Sequence, residues 1–409
     1  MPWRVRLLGL IVSFCLHGML SQDADVQIIL PNGDSIPADE GVAMNKLLDW
    51  MDALHWTGAW ESGSAQRDAR TELERLAGIT PQAPWLALGL GQVFLLYFWW
   101  KDENLEVDIE AAKLSSTLHY LSIRSAGCDE PALPAEAFKA LQCTWRWRHS
   151  LMIPTELGVY LAHRRKDVAR SAALLREAQH IFRMMQRLPY FSRPEWSSPN
   201  DINTNAEFFP GPVNRPVWPS KGLPFAEFLE ANVDVFRTDL DSMLTSGQFD
   251  HLYWTGEVSL TQFSARHEGW AMLSLFKNQK LVPRVCAHAN ASCALLAERP
   301  EIAACSAGDA GAAFARLLPG QGLRPHFWNA PRLGAHLGLR TPPGATMWVG
   351  GKAVTWEEGK ATIFDDTYTH SVLHEGSEPR YVLIAWLCHP CDSERSSVHP
   401  VVPEPLCAA

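Results

Sequence analysis

The chain has 409 residues, of which 47% are hydrophobic and 20% charged, a balance that excludes an intrinsically disordered protein and indicates two or three globular domains. Its 36 Lys and Arg against 45 Asp and Glu give a formal net charge of −9, which argues against binding the phosphate backbone of DNA or RNA.

The N-terminal segment has the pattern of a secretory signal, which we assign to residues 1–22. Arg4 and Arg6 precede an apolar stretch from Leu7 to Leu20. As a helix this stretch would span about 21 Å, short of the ~30 Å hydrocarbon core of a bilayer, so a cleaved signal is favoured over an anchor. We therefore expect the lumen of the endoplasmic reticulum and no stable membrane span after cleavage. A membrane-anchored protein is the alternative if the signal is not cleaved.

Cysteine usage agrees with an oxidising compartment. One of the nine cysteines lies in the signal, and the remaining eight are an even set that can form disulfides. The sequon Asn290-Ala291-Ser292 would be open to glycosylation in that compartment. The motif Cys388-His389-Pro390-Cys391 resembles the CxxC of thioredoxin-like proteins, but it lacks the βαβ context and a redox role is not favoured.

Residues 41–190 have helical periodicity. Apolar residues recur at spacings of three and four, and Pro and Gly occupy the breaks between segments. This predicts an α-helical domain of stacked helical hairpins; a tetratricopeptide-like array is one form of it, although no period near 34 residues can be traced. Residues 191–223, crowded with Pro, Ser and Asn, are predicted to be a linker, and one amphipathic helix is predicted over 224–246.

The pattern changes to β from about residue 250. Short runs of Val, Leu, Phe, Trp and Thr alternate with turn clusters, and the run Tyr381–Leu387 is almost wholly apolar, as in a buried strand. Many short strands at this spacing predict a sandwich or jelly roll. The predicted fold class is α+β, with a helical half followed by a β domain over 224–393 and a C-terminal tail over 394–409.

Three histidines and one arginine in the β half are the candidate site residues. Paired imidazoles on a β scaffold, such as His326, His336 and His370, suit a divalent iron site, and a buried Arg380 suits a dicarboxylate ligand through bidentate pairing. The carboxylate commonly found two residues after the first histidine is absent, because that position is Trp328. On spacing alone, hydrogen-bonded core or loop histidines are an equally good interpretation.

Two further acidic residues invite a role as the missing carboxylate. Asp366 lies only four residues before His370, so we predict that Asp365 and Asp366 bond a turn instead.

A series of short motifs runs from Arg215 to Pro390. They are Arg215-Pro216-Val217-Trp218, Glu268-Gly269-Trp270, Leu317-Leu318-Pro319-Gly320, Pro325-His326, His336-Leu337-Gly338-Leu339, Thr355-Trp356-Glu357-Glu358-Gly359-Lys360, Ile363-Phe364-Asp365-Asp366, His370 and His389-Pro390. In this order and with nearly this spacing they resemble the aspartyl/asparaginyl beta-hydroxylase family of iron(II)- and 2-oxoglutarate-dependent oxygenases. The resemblance implies a double-stranded β-helix (jelly-roll or cupin-like) catalytic domain.

The resemblance also implies the roles of the site residues. His326 and His370 would bind Fe(II) without a protein carboxylate, as the family is known to do. Arg380 would pair with the distal carboxylate of 2-oxoglutarate, while His336 and Trp270 complete the pocket. The reaction would use O2 and hydroxylate the β-carbon of Asp or Asn in disulfide-rich domains, such as EGF-like modules, of secreted or membrane proteins.

Two alternatives stay open: an oxygenase acting on an acyl chain or a free amino acid, and a divergent, non-catalytic binding module. The second is prompted by Gly334, where the family typically has an Arg in the cosubstrate pocket, and by Ala315, where a Ser is expected. A Gly334→Arg substitution is accordingly expected to raise 2-oxoglutarate affinity if the pocket is otherwise intact. Finally, the family's cysteine placement implies a disulfide between Cys286 and Cys293.

Overall fold

A computed structural model of the chain describes most of residues 166 to 391 and isolated positions before them. The continuous described ranges are 166–188, 191–203, 215–250, 270–277, 280–303, 311–328 and 331–391. The chain divides into two compact units, Met1–Arg193 and Pro194–Ala409. The predicted signal, the predicted tail and most of the predicted helical domain lie outside the described residues and stay predictions.

The described part of the first unit contains a short hairpin and one long helix. Strand β1 (Ile28–Ile29) pairs antiparallel with β2 (Ser35–Ile36), and helix α1 spans Val168–Met185. The side chain of Asp167 accepts a hydrogen bond from the backbone N–H of Arg170, which caps the helix. The buried positions of α1 recur at spacings of three and four, as the apolar periodicity predicts; they are Ser171, Leu174, Ala178, Ile181, Phe182 and Met185.

The second unit is a mixture of helices and antiparallel strands. Its helices are α2 (Pro224–Ala231), α3 (Val233–Thr245), α4 (Pro283–Cys286), α5 (Asn290–Ala297) and α6 (Pro300–Ala303), with 3-10 turns at Pro199–Asp201 and Gln248–Asp250. Its strands are β3 (Val217–Trp218), β4 (Trp270–Lys277), β5 (Lys280–Leu281), β6 (Gly311–Leu317), β7 (Gly322–His326), β8 (Arg332–Arg340), β9 (Ala345–Val349), β10 (Lys352–Val354), β11 (Ala361–Asp365), β12 (His370–His374) and β13 (Arg380–Cys388).

These strands form two sheets. The larger has the order β3-β11-β8-β13-β6-β4-β5 and the smaller the order β10-β9-β12-β7. From β6 onward the chain passes repeatedly from one sheet to the other, so that β6, β8, β11 and β13 lie in the larger sheet while β7, β9, β10 and β12 lie in the smaller.

Strand β13 shows why its sequence is an almost unbroken apolar run. Successive side chains point to opposite faces of a sheet. Val382 and Ile384 join an apolar cluster that also contains residues of the smaller sheet, whereas Leu383 and Leu387 join a second cluster with helices α2, α3 and α5. The larger sheet is thus covered on both faces, and the even-numbered positions of β13, beginning with Arg380, share the face of the first cluster.

Two sequence predictions fail in the segment before the sheets. The helix predicted over 224–246 is two helices, because Asn232 leaves helical geometry (φ −112°, ψ 17°) and its side-chain amide donates to the carbonyl of Phe228 at 2.8 Å. The predicted linker 191–223 and the predicted domain start at 224 are also wrong. Most of that segment belongs to the second unit, and Val217–Trp218 is an edge strand paired with β11.

The predicted disulfide between Cys286 and Cys293 is confirmed. Closing so short a loop limits the unfolded ensemble and contributes about 2 kcal/mol to stability. Cys128 pairs with Cys143, which the sequence left unassigned, and Cys388 and Cys391 are also disulfide-bonded. Among the described residues, no helix is long and apolar enough to cross a membrane.

Candidate active site

The structure brings His326 and His370 together. His326 ends β7 and His370 begins β12, and the two residues are directly opposite each other on these antiparallel strands. Their ring centroids are 4.1 Å apart. Adjacent strands of one sheet therefore place two imidazoles side by side, as a shared metal position requires.

The hydrogen bonds of His370 determine which of its nitrogens can bind a cation. Its Nδ1 lies 2.9 Å from the carbonyl oxygen of Tyr368, and a carbonyl only accepts, so Nδ1 carries the proton. Burial lowers the pKa of His370, which keeps the ring neutral and leaves a lone pair on Nε2. That nitrogen lies 3.2 Å from a carboxylate oxygen of Asp366. Two electron-rich atoms this close repel each other unless a cation lies beside them.

Asp366 is held in its charged form by Arg332, the first residue of β8. Burial is the largest single effect and would raise the pKa of this carboxyl, but the adjacent Arg332 guanidinium together with the nearby imidazoles of His370 and His326 outweighs burial and the pKa is lowered. The guanidinium in turn lies 3.8 Å from the ring centroid of Trp328 and 5.4 Å from that of Trp386. Trp328, which occupies the position two residues after His326 where a carboxylate ligand is common, thus packs over the arginine that binds Asp366.

Asp365 makes the turn hydrogen bonds predicted for both acidic residues. One carboxylate oxygen accepts from the N–H and the hydroxyl of Thr367, at 3.0 and 2.7 Å. The other accepts from the side-chain amide of Asn205 and faces Nε2 of His389 at 3.5 Å. All four residues are buried, so this network fixes the turn that leads into His370. For Asp366 the turn prediction was wrong, because its side chain bonds Arg332.

Arg380 is a buried cation that has no counter-charge in the described part of the chain. It is 0% exposed, and its Nε, Nη1 and Nη2 atoms have no hydrogen-bond partner there. Its guanidinium carbon lies 4.0 Å from the ring centroid of Trp356 and 6.0 Å from that of Trp270. Burial lowers its pKa to about 9, so it stays charged at neutral pH. A buried charge without a partner is costly, and a bound carboxylate would remove that cost.

His336 lies on β8 opposite Ile384 of β13, on the sheet face that also carries Arg380. Trp356 Nε1–H donates to Nδ1 of His336 at 3.2 Å, and the planes of the two rings are inclined by only 12°. Burial, and secondarily the charge of Arg380, lowers the pKa of His336 well below its usual value. The ring is therefore neutral with its proton on Nε2, where it can donate to a ligand oxygen.

These side chains fit both groups that the sequence implies. The neutral His370 has a lone pair on Nε2 and lies beside His326 and the Asp366 carboxylate, which suits a divalent cation, and the unpaired Arg380 suits a dicarboxylate. Within the described residues, no group of three or more His, Cys, Asp and Glu side chains has a metal-binding arrangement.

Gly334 is the position where the structure overturns a sequence expectation. A Cβ at Gly334 would lie 2.5–3.0 Å from three ring carbons of Phe364, the residue opposite it on β11. Phe364 is itself buried and contacts the rings of His336 and His370, at centroid distances of 5.0 and 5.1 Å. The predicted gain from Gly334→Arg is therefore wrong, because the aromatic ring already fills the space that the longer side chain needs.

We expect Gly334→Ala alone to destabilise the protein by about 1–3 kcal/mol, since overpacking forces the Phe364 ring out of its rotamer. Denaturant unfolding would measure this. The cost should shrink in a Phe364→Leu background, where the smaller side chain leaves room for the methyl group. Equal costs in both backgrounds would show that the ring is not the obstacle.

Comparison with known proteins shows which family the region around the site resembles. Residues 230–390 match the sequence profile described as Aspartyl/Asparaginyl beta-hydroxylase. The chain is 31% identical over 229 residues to human aspartate beta-hydroxylase domain-containing protein 1, covering 49% of this chain and 56% of the relative. It is 41% identical over 78 residues to mouse aspartate beta-hydroxylase domain-containing protein 2, covering 18% and 23%. It is 32% identical over 123 residues to human aspartyl/asparaginyl beta-hydroxylase, covering 30% and 16%.

The matched segment spans little more than half of the first of these relatives and less than a quarter of each of the other two. A solved prolyl-4-hydroxylase from Pseudomonas putida is 15% identical and covers 43% of this chain and 93% of its own, but its TM-score of 0.24 is too low to support a conclusion. The profile match over 230–390 includes both histidines, His336 and Arg380. Residues 230–390 of this chain are therefore similar to the aspartyl/asparaginyl beta-hydroxylase family, the family that the sequence motifs resemble.

Proposed function

We propose that the second unit is an Fe(II)- and 2-oxoglutarate-dependent oxygenase that uses O2 to hydroxylate the β-carbon of Asp or Asn residues. We interpret its two sheets as a double-stranded β-helix. The observation that carries the proposal is Arg380, a buried and unpaired guanidinium on the sheet face that also presents His336. An internal cation of this kind needs an anionic ligand, and a dicarboxylate can reach it while leaving its other end for a metal.

Each residue of the site has a role in this reaction. His326 and His370 would hold the iron, which when bound supplies the oxidation of a C–H bond coupled to decarboxylation of 2-oxoglutarate to succinate. Arg380 would bind one carboxylate of 2-oxoglutarate in bidentate fashion. Trp270 and Trp356 shield that guanidinium from water, and the low local dielectric strengthens its pairing with a carboxylate.

The remaining polar residues orient this machinery. The neutral His336 can donate from Nε2 to an oxygen of the cosubstrate, because Trp356 occupies its other nitrogen. The charged Asp366, fixed by Arg332, adds a negative potential next to His370 and so favours a cation there. The Asp365 network holds the intervening turn, so that the His370 ring is oriented before any ligand binds.

We further propose that the substrates are disulfide-rich domains of secreted or membrane proteins, and that the enzyme acts in the endoplasmic reticulum. The N-terminal signal pattern supports this location, as do the disulfides of the described residues, which form in oxidising compartments. A non-catalytic binding module is the second candidate, favoured by one observation: Phe364 fills the space beside Gly334 where a cosubstrate-pocket arginine is typical.

We expect the purified full-length chain, supplied with Fe(II), 2-oxoglutarate and O2, to add one oxygen atom to the β-carbon of Asp or Asn in a folded EGF-like domain. Mass spectrometry would locate the hydroxylation and a coupled assay would measure the succinate released. The control is the same domain with the target residue replaced by Ala. Succinate release with an acyl chain or free amino acid, but with no peptide product, would favour the non-peptide alternative. Binding of the domain without either product would favour the binding module.

A further inference from the structure

We infer that Asn290 is the attachment site of an N-linked glycan, carried on the outer face of the larger sheet. This inference does not depend on the oxygenase proposal. It depends on two side chains of the sequon, the exposed amide of Asn290 and the buried hydroxyl of Ser292, which has no hydrogen-bond partner in the described part of the chain.

Asn290 is available for modification. It is the first residue of helix α5 and its side chain is exposed. Asn is often retained at the start of a helix because it caps the free N–H groups, but the cap of α5 is Ala289 and no side-chain cap hydrogen bond is made. The exposed amide of Asn290 therefore does not cap the N-terminus of the helix. A large polar group attached there would extend into solvent.

Ser292 has a hydroxyl that the folded protein does not satisfy. The residue is 0% exposed, and its Oγ has no hydrogen-bond partner in the described part of the chain. Its backbone N–H does bond, to a carboxylate oxygen of Asp239 at 2.7 Å, but any residue except proline provides that donor. A buried hydroxyl without a partner costs free energy, and alanine would fit the site at lower cost. The hydroxyl is explained by the sequon, which requires Ser or Thr two residues after Asn.

The surroundings of the sequon indicate the secretory pathway, the compartment in which N-glycans are attached. Cys286 and Cys293 form a disulfide that encloses Asn290 in its loop. Disulfide formation and the transfer of oligosaccharide to Asn both take place in the secretory pathway. The segment carrying the sequon would thus meet both modifications during the same passage.

Transfer of the oligosaccharide to Asn290 is a nucleophilic substitution at the anomeric carbon of the sugar. The side-chain Nδ2 of Asn290 forms a bond to the anomeric carbon of an oligosaccharide carried on a lipid pyrophosphate. The bond from that carbon to the pyrophosphate oxygen breaks, the lipid pyrophosphate leaves, and Nδ2 loses one proton. No oxidation or reduction is involved.

The site lies away from the candidate active site. Cys293 and Leu296 of α5 pack into the apolar cluster on the helix-covered face of the larger sheet. Trp270 and Ile384 belong to the cluster shared with the smaller sheet, on the opposite face. A glycan on Asn290 is therefore compatible with an open active site.

The test is expression of the full chain in eukaryotic cells, followed by digestion of the secretory fraction with peptide-N-glycosidase. We expect a single increase in electrophoretic mobility on digestion and conversion of Asn290 to Asp, located by mass spectrometry. The shift should be lost in both Asn290→Gln and Ser292→Ala and retained in Ser292→Thr. Ser292→Ala should still fold, with a melting temperature no lower than that of the deglycosylated wild type, because the removed hydroxyl has no partner.

Two results would overturn the inference. One is a wild-type chain that is recovered with the Cys286–Cys293 disulfide formed but shows no shift. The other is a shift that persists in both Asn290→Gln and Ser292→Ala. Loss of the Ser292→Ala protein to misfolding would equally contradict the argument that its hydroxyl is dispensable for the fold.

Discussion

Arg380→Met should weaken 2-oxoglutarate binding by roughly 30- to 1,000-fold while making the ligand-free protein more stable. The lost affinity corresponds to about 2–4 kcal/mol for a charge-assisted bidentate pair. The gain in stability has a separate origin. Arg380 is buried without a partner, and replacing a buried charge by an apolar side chain of similar volume often stabilises a protein, by about 1–4 kcal/mol. Iron binding should persist, because both histidines remain.

Calorimetric titration with 2-oxoglutarate and denaturant unfolding of the ligand-free protein would measure the two effects. Arg340→Met is the matched control, since Arg340 lies on β8 but is half-exposed and pairs with Asp241 at the surface. It should change neither quantity appreciably. Unchanged 2-oxoglutarate affinity in Arg380→Met would remove Arg380 from the site. A marked loss of stability would mean that the guanidinium is satisfied in the free protein.

The pH dependence of the wild type provides an independent check on Arg380. Burial lowers its pKa from the ordinary arginine value to about 9 in the folded protein. Above pH 9 the unfolded chain still binds the proton that the folded protein has lost, so the stability of the ligand-free protein should gain a contribution as pH rises through 9. Over the same range, 2-oxoglutarate binding should weaken, because the site loses its charge. The pH contribution to stability should be absent in Arg380→Met.

His370→Ala should abolish both iron binding and turnover. In the proposed site only His326 and His370 bind the metal, so removing one would leave a single imidazole, which would not hold the metal in place. The same substitution leaves the Asp366 carboxylate bonded to Arg332, so the fold should persist. Metal content after dialysis against Fe(II) and succinate release would both be measured.

His374→Gln is the matched control for His370→Ala. His374 lies on the same strand and is fully buried, but its ring bonds the carbonyl of Glu378 and the N–H of Gly376. A glutamine can supply both a donor and an acceptor there. This variant should lose some stability but keep iron and turnover. Iron retention in His370→Ala, or loss of iron in a folded His374→Gln, would contradict the assignment of the ligands.

Local patterns were sufficient to predict the elements whose burial is periodic. The strand predicted from the apolar run of β13 and the helix predicted from the three-four spacing of α1 are both found. Each pattern arises because one element packs its apolar side chains on a core. Local patterns failed at Asn232 and at Val217–Trp218. At Asn232 a single side-chain hydrogen bond accompanies the break in the helix. At Val217–Trp218 the chain is extended because it pairs with the distant strand β11.

The site was predictable only in part, and for a related reason. Spacing left His326 and His370 equally open to a structural interpretation, and it was the ordered set of motifs that pointed to them. Arg332 and Asn205 were missed, because their contacts with Asp366 and Asp365 join residues 34 and 160 positions apart. The contact that makes Gly334 necessary likewise crosses between strands, from Phe364, and leaves no signature in the adjacent sequence.

The measurement that most directly tests the central claim is succinate release from 2-oxoglutarate by the purified full-length chain, with and without Fe(II), in wild type and His370→Ala. We expect iron-dependent succinate from the wild type and none above background from His370→Ala. Equal output from the two proteins would mean that the domain is not an oxygenase acting through this site, and no output from the wild type with iron supplied would contradict the proposed activity.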